Sequence, residues 1–389
     1  MTDPLGQSQV IPYLQGLARK GHRITILSFE KRPAFLANKK VVSLHLKNRG
    51  INWVPLRYHG NPPVISTLMD LWYMWQQSKR LHQKSPYHIV HCRSFLASLI
   101  GLKLQRKYGI KFVFDMRGFW PDERVEGKLW DVKNPLYKKI YEFFKTKELE
   151  FINHADYSIS LTDSASMEMK SWREVNEGVK IKVIPCCVDA NIFVRSNYDM
   201  SELKTELGIT EDNFVLTYLG SIGTWYLHDE MLQFFIVLKK HYPKAKFLFL
   251  SNVDSSEILQ PATTLGIDNK DIIVKYVPRE LIPKYIQLSD LSIFFILPSF
   301  SKKASSPTKL GELLSMGVPI ICNSGIGDVD DIINNNNAGI IVEGFSDKDY
   351  DKAIRKFKDT TFSNLRKIAI ENFSLTRGVE AYEEVYTSI

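Results

Sequence analysis

A chain of 389 residues with 44% apolar and 24% charged side chains is too long for one ordinary domain, and two globular domains of about 190 residues fit the usual size range. The net charge of +8 hides an asymmetry: residues 1–150 hold 26 Lys and Arg against 11 Asp and Glu, the remainder 25 against 32. The basic half favours a polyanionic partner, whether nucleic acid, an anionic membrane surface or a phosphorylated substrate. Cys92, Cys186, Cys187 and Cys322 have no metal-ligand spacing, and no run approaches the ~18 apolar residues that cross a bilayer. Those facts argue against a disulfide scaffold, a zinc module and a spanning segment, and point to a cytoplasmic protein, at most peripheral at the inner face of the membrane.

The chain opens on Met1-Thr2-Asp3-Pro4-Leu5-Gly6-Gln7-Ser8-Gln9, which reads as a loop entering a helix over 8–20. A doubly wound domain begins with a buried strand before such a loop. None stands here, so the sequence predicts a first sheet lacking a central strand, residues 1–6 poorly fixed, and a native chain extending upstream. Strand-like runs follow at 23–28, 51–54, 89–91, 111–115, 157–161 and 181–184, then at 214–219, 246–251, 272–276, 291–296, 318–321 and 339–342. Helical stretches lie between most of them. This alternation implies two parallel sheets with helices on both faces, in two doubly wound units that part near 189–211. A last helix over 376–387 carries Tyr382, Val385 and Tyr386 and either docks back on the first domain or caps the second.

Several segments carry chemistry. Residues 64–80 include Leu68, Leu71, Trp72, Met74 and Trp75, followed by Lys79 and Arg80. Trp72 and Trp75, three apart, are predicted to share a helical face turned either to a protein core or to a membrane. His91-Cys92-Arg93-Ser94 ends one strand, and the stretch from Asp115 through Arg117 to Arg124 follows the next. Ligands gather at such strand ends, so His91, Arg93, Asp115, Arg117 and Arg124 are candidates to bind an acceptor and orient its hydroxyl; alternatively the arginines pair with Asp115 and Glu123, and His91 is a core residue. The cluster Asp328-Val329-Asp330-Asp331 follows Gly327 and reads as helix capping rather than a metal site.

The most informative stretch is 305–322, Ser-Ser-Pro-Thr-Lys-Leu-Gly-Glu-Leu-Leu-Ser-Met-Gly-Val-Pro-Ile-Ile-Cys. Ser306 suits an N-cap, Pro307 the first helical position, and Gly317 the helix end. Lys309 would then sit in the first turn, at the positive end of the helix dipole, where a cation is unfavourable unless an anion accompanies it. A phosphate at Ser305, Ser306, Thr308 and Lys309 resolves the mismatch, with Glu312 one turn deeper to accept ribose hydroxyls. The plainer alternative is a capped amphipathic helix with an intrahelical Lys309–Glu312 pair.

With these pieces together, the chain resembles the retaining GT-B glycosyltransferases of family 4. The likeness rests on the Ser-Pro-Thr-Lys-x-x-Glu…Gly-x-Pro-Ile-Ile segment, the Gly-Gln-Ser-Gln stretch after Leu5, the Tyr218-Leu219-Gly220-Ser221 turn and the Pro185-Cys186-Cys187-Val188-Asp189 exit. It implies an α/β fold of two Rossmann-like domains facing a central cleft: 1–190 for the acceptor, 191–374 for the nucleotide sugar, and 375–389 as the C-terminal helix. It further implies a donor site at Gly220, Ser221, Val277, Ser305, Ser306, Thr308, Lys309 and Glu312. A plain strand–helix turn competes for Gly220, and side-chain packing for Val277. Gly6, Arg93, Asp115, Arg117 and Arg124 would face the acceptor, with His91, Arg117 and Lys309 nearest the chemistry. The first of the family's two glutamates eight apart is replaced by Ala304.

The activity so implied is metal- and cofactor-independent hexosyl transfer with retention. It runs from a nucleoside-diphosphate sugar to a sugar or lipid-linked acceptor, in cell-surface polysaccharide or glycolipid assembly. An anionic membrane surface is an expected partner, and nucleic acid is not. A sugar-nucleotide 2-epimerase and a non-catalytic sugar- or nucleotide-binding protein share the architecture and stay open as alternatives.

Overall fold

The computed structural model describes residues 1–389. They form two compact units, Met1–Cys187 with Leu375–Ile389, and Val188–Ser374. Both are layered α/β structures with all-parallel pairing, in line with the fold read from the sequence.

The first unit contains β1 (Thr25–Glu30), β2 (Asn52–Arg57), β3 (Ile89–Arg93), β4 (Lys111–Asp115), β5 (Tyr157–Ser160) and β6 (Ile181–Val183). Its strands make two sheets, β1-β2 and β3-β4-β5-β6, so β1 and β3 share no ladder. Residues 1–6, expected to be loose, are held. The Met1 ammonium lies 2.6 Å from Glu30 Oε1, and the Thr2 amide and hydroxyl both donate to Glu30 Oε2. Gly6 to Gln9 are helical rather than a loop: the chain forms Pro4–Gln9 and then Ile11–Arg19, parting at Val10. Pro12 explains the break, because it has no N–H and its ring crowds the carbonyl four residues earlier.

The C-terminal helix Leu375–Thr387 belongs to this unit. Val379, Tyr382 and Val385 are buried with Tyr13, Leu17, Ile184 and Cys187. Glycine permits the close approach. A Cβ on Gly16 would stand 2.4 Å from Val379, and one on Gly378 2.7 Å from Cys187 Sγ.

The second unit contains β7 (Val215–Leu219), β8 (Lys246–Leu250), β9 (Ile272–Lys275), β10 (Leu291–Phe294), β11 (Ile320–Asn323) and β12 (Gly339–Val342), in the order β12-β11-β10-β7-β8-β9. Strands β7, β10 and β11 are buried along their whole length, as parallel strands covered on both faces must be. Strand order reverses between β7 and β10. The loops leaving their C-terminal ends therefore diverge there, and an open parallel sheet offers its ligand crevice at such a point.

Candidate functional site

The loops after β7 and β10 are tied together. The Leu227 amide donates to the Phe295 carbonyl at 3.0 Å and the Leu297 amide to the Trp225 carbonyl at 2.8 Å. Asn323, at the end of β11, bonds both backbone groups of Ile296. Beyond β10 the chain makes a short 3-10 turn, Phe300–Ala304, and enters the helix Thr308–Ser315. Pro307, not Ser306, occupies the N-cap, and its side chain makes no capping bond. Gly317, at φ 71°, ends the helix.

Lys309 is the unusual residue of this helix. It is only 7% exposed, and its Nζ has no hydrogen-bond partner. Instead the ammonium lies 4.0 Å from the Tyr226 ring centre and 4.2 Å from that of Tyr218. Burial pushes its pKa down to about 7, against a smaller opposing pull from Glu312. Glu312 does not pair with it. Its Oε1 accepts from Arg279 Nη2 at 2.7 Å, and burial raises its carboxyl while Arg279 and then Lys309 pull it back. The intrahelical Lys–Glu pair, which would have made the helix unremarkable, is therefore absent. A buried ammonium without a hydrogen-bonded counter-charge is costly, and a bound anion would supply one.

Gly220 faces that ammonium. Its φ is 124°, and a Cβ there would stand 3.0 Å from Lys309 Nζ. The Gly220→Ala substitution is accordingly expected to strain the turn by about 1–3 kcal/mol and to displace Lys309, lowering the melting temperature and anion affinity together. Unchanged affinity in a folded G220A protein would separate the two residues.

The other donor candidates surround this centre. Ser221 is exposed; its carbonyl accepts the Tyr218 hydroxyl at 2.7 Å. Val277 is buried just beyond β9, two residues before Arg279. Ser305, Ser306 and Thr308 are half-buried at the helix entrance. Lys302 is buried with its Nζ 3.6 Å from the Trp225 ring centre, whereas Lys303 is exposed.

In the first unit, His91, Arg93, Asp115 and Arg117 come together around one carboxylate, and Arg124 does not join them. Asp115 is buried, with Arg93 Nη1 3.7 Å and His91 Nε2 3.4 Å from Oδ2 and Arg117 Nη1 3.8 Å from Oδ1. Burial raises the Asp115 pKa, but Arg117, the His91 hydrogen bond and Arg93 outweigh it and hold the group at about 2. The C-terminal helix closes the cluster: Tyr382 donates to Asp115 at 3.3 Å, and Tyr386 Oη lies 2.6 Å from His91 Nδ1. Both His91 nitrogens thus have protein partners. Arg93 also donates to the Gln9 carbonyl and Arg117 to Cys186 Sγ. Arg124 lies over the Trp120 ring, and Gly6 is packed against Met1.

Two family models divide the chain. Residues 8–192 match Glycosyltransferase Family 4, and residues 199–374 match Glycosyl transferases group 1. The chain belongs to the GT-B glycosyltransferases. Solved structures agree on the fold. Sucrose-phosphate synthase from Thermosynechococcus elongatus is 14% identical, with a TM-score of 0.71 over 97% of this chain and 91% of that one. A glycosyltransferase from Rickettsia africae is 16% identical, at 0.71 over 97% and 93%. Anabaena HepE, solved with UDP and glucose, is 15% identical, at 0.68 over 97% and 96%. No curated protein matches the chain in sequence.

Sequence reasoning about this glycosyltransferase missed Arg279, Trp225 and Tyr226. Arg279 stands two residues after Val277, already a donor candidate, and a Trp-Tyr pair in a short polar loop was a usable signal. Their partners, Glu312, Lys302 and Lys309, lie far away in sequence.

Proposed function

We propose that this glycosyltransferase binds a nucleoside-diphosphate sugar on the second unit and transfers the sugar, with retention, to an acceptor hydroxyl held by the first. The observation that carries the proposal is the buried, unpartnered Lys309 ammonium facing Gly220 at a helix start. As the bond between the sugar and the diphosphate breaks, negative charge grows on the leaving phosphate. A fixed cation in a water-poor site, aided by the helix dipole, stabilises that charge. Glu312, held by Arg279, accepts hydroxyls of the ribose one turn deeper. In the first unit two arginines share one carboxylate, and this surplus of positive charge supports an anionic acceptor such as a lipid-linked phosphate. Such an acceptor fits assembly of a cell-surface polysaccharide or glycolipid.

The test begins with a melting-temperature screen of nucleoside diphosphates, UDP first because HepE was solved with it, followed by their sugars. Release of free nucleoside diphosphate only when acceptor is added is the expected result. Binding without turnover would leave a binding protein, and isomerisation of the sugar nucleotide alone would indicate an epimerase. If Glu312→Ala folds and binds the diphosphate as tightly as the parent, the site is misplaced.

A further inference from the structure

Helix Ile65–Lys84 has apolar residues on two sides. Leu71, Met74 and Trp75 pack on Ile100, Leu104 and Ile110, and Lys103 lies over the Trp75 ring. Trp72, expected to share that face, does not. It is 56% exposed, and Ile65 at 65% and Leu68 at 63% continue the same outward stripe. Met69 and Tyr73 broaden it. The spacing of three, four and seven makes this one continuous surface over the first two turns. The stripe is also rigid: the His59 amide and ring both bond the Asp70 carboxylate, tying the incoming loop to the helix.

The charge around it is one-sided. From residue 31 to residue 107 the chain carries fourteen Lys and Arg and a single carboxylate, Asp70. Asp70 is buried and committed to His59. This whole stretch therefore presents no acidic side chain of its own to solvent, while Arg80 and Lys84 follow on the same helix and Lys103 and Lys107 stand exposed on the helix packed against it. Five large apolar side chains in one exposed stripe are unusual for a soluble surface.

We infer that this face docks on an anionic lipid bilayer. Ile65 and Leu68 enter the boundary between headgroups and acyl chains, Trp72 and Tyr73 lie at headgroup depth, and the surrounding lysines and arginines meet lipid phosphates. Aliphatic side chains at the centre of the patch suit a bilayer better than a nucleic acid, whose recognition needs aromatic or polar contacts among the cations. The inference stands apart from the donor reading, because it concerns binding to lipid with neither donor nor acceptor present.

The experiment is flotation of the full chain with vesicles of phosphatidylcholine alone, and of phosphatidylcholine with about one-third phosphatidylglycerol, at low and high salt. Strong binding to the anionic vesicles, weakened by salt, is expected. The double variant Leu68→Ser, Trp72→Ser should bind them at least tenfold more weakly while keeping the parent melting temperature, since both side chains are exposed. Equal binding to neutral and anionic vesicles overturns the proposal, as does no binding to either or undiminished binding by the variant. Self-association of the parent in sedimentation, lost in the variant and blocking vesicle binding, would assign the stripe to a second copy of the chain instead.

Discussion

Replacing Lys309 by Met should stabilise the unliganded protein and weaken its binding of a nucleoside diphosphate. The two effects have opposite signs because they have one cause. In the unliganded fold the Lys309 amine is buried, lacks a hydrogen-bond partner and lies over the faces of Tyr218 and Tyr226. An apolar side chain of similar length removes the desolvation cost, about 1–3 kcal/mol, less what the cation–π contacts return. With the diphosphate bound, the same substitution deletes a charge-assisted contact worth about 1.5–3 kcal/mol, roughly a ten- to hundred-fold loss of affinity.

The pH dependence follows from burial, which holds the Lys309 pKa at about 7 against an ordinary 10.5. Between these values the unfolded chain carries a proton that the folded chain does not. The contribution of this group to stability is therefore fully present above the unfolded pKa and is lost as pH falls from about 10.5 towards 7. A bound anion restores the charge, so diphosphate binding near pH 8 should take up a proton. Titration calorimetry in two buffers of different ionisation heat measures that uptake, which should vanish in Lys309→Met. A destabilised variant that binds like the parent would remove Lys309 from the site.

The second large effect lies in the first unit. Asp115→Asn leaves Arg93 and Arg117, both partly buried, beside a neutral amide, and removing the buried carboxylate that they share costs up to about 3–5 kcal/mol, a large share of a domain's stability. The C-terminal helix should loosen with it, because Tyr382 bonds Asp115 directly and Tyr386 reaches it through His91. Hydrogen exchange should show faster opening of residues 375–387 before the rest of the unit. The Asp115 carboxyl sits at about 2 against an ordinary 3.8, so its contribution is complete above about 3.8 and is lost as pH falls towards 2. The variant should lack that acid-dependent slope. An Asp115→Asn protein that melts like the parent, with unchanged exchange in the last helix, would mean that the cluster does not hold the helix.

Each of the twelve strand-like runs read from the sequence overlaps a strand, and the end of helix Thr308–Ser315 at Gly317 was equally legible. Both are local matters: a buried parallel strand is a continuous apolar run bounded by turns, and the steric freedom of glycine acts on its own residue. The break at Val10 is legible in Pro12, which has no N–H to continue a helix.

What the chain alone left open were choices between partners distant in sequence. Lys309 and Glu312 sit three apart on one helix, a spacing that permits an ion pair, yet Glu312 bonds Arg279, 33 residues away. That choice depends on the tertiary path of the segment after β9, which brings Arg279 to the helix. Asp115 and Tyr382 are 267 residues apart, and nothing local tells a histidine on β3 that it will face the last helix. Likewise Trp72 and Trp75 have the same spacing relative to their helix but different fates. Trp75 has the helix Phe95–Tyr108 against it and Trp72 has none. Periodicity records which residues share a face; only the packed structure determines what that face meets.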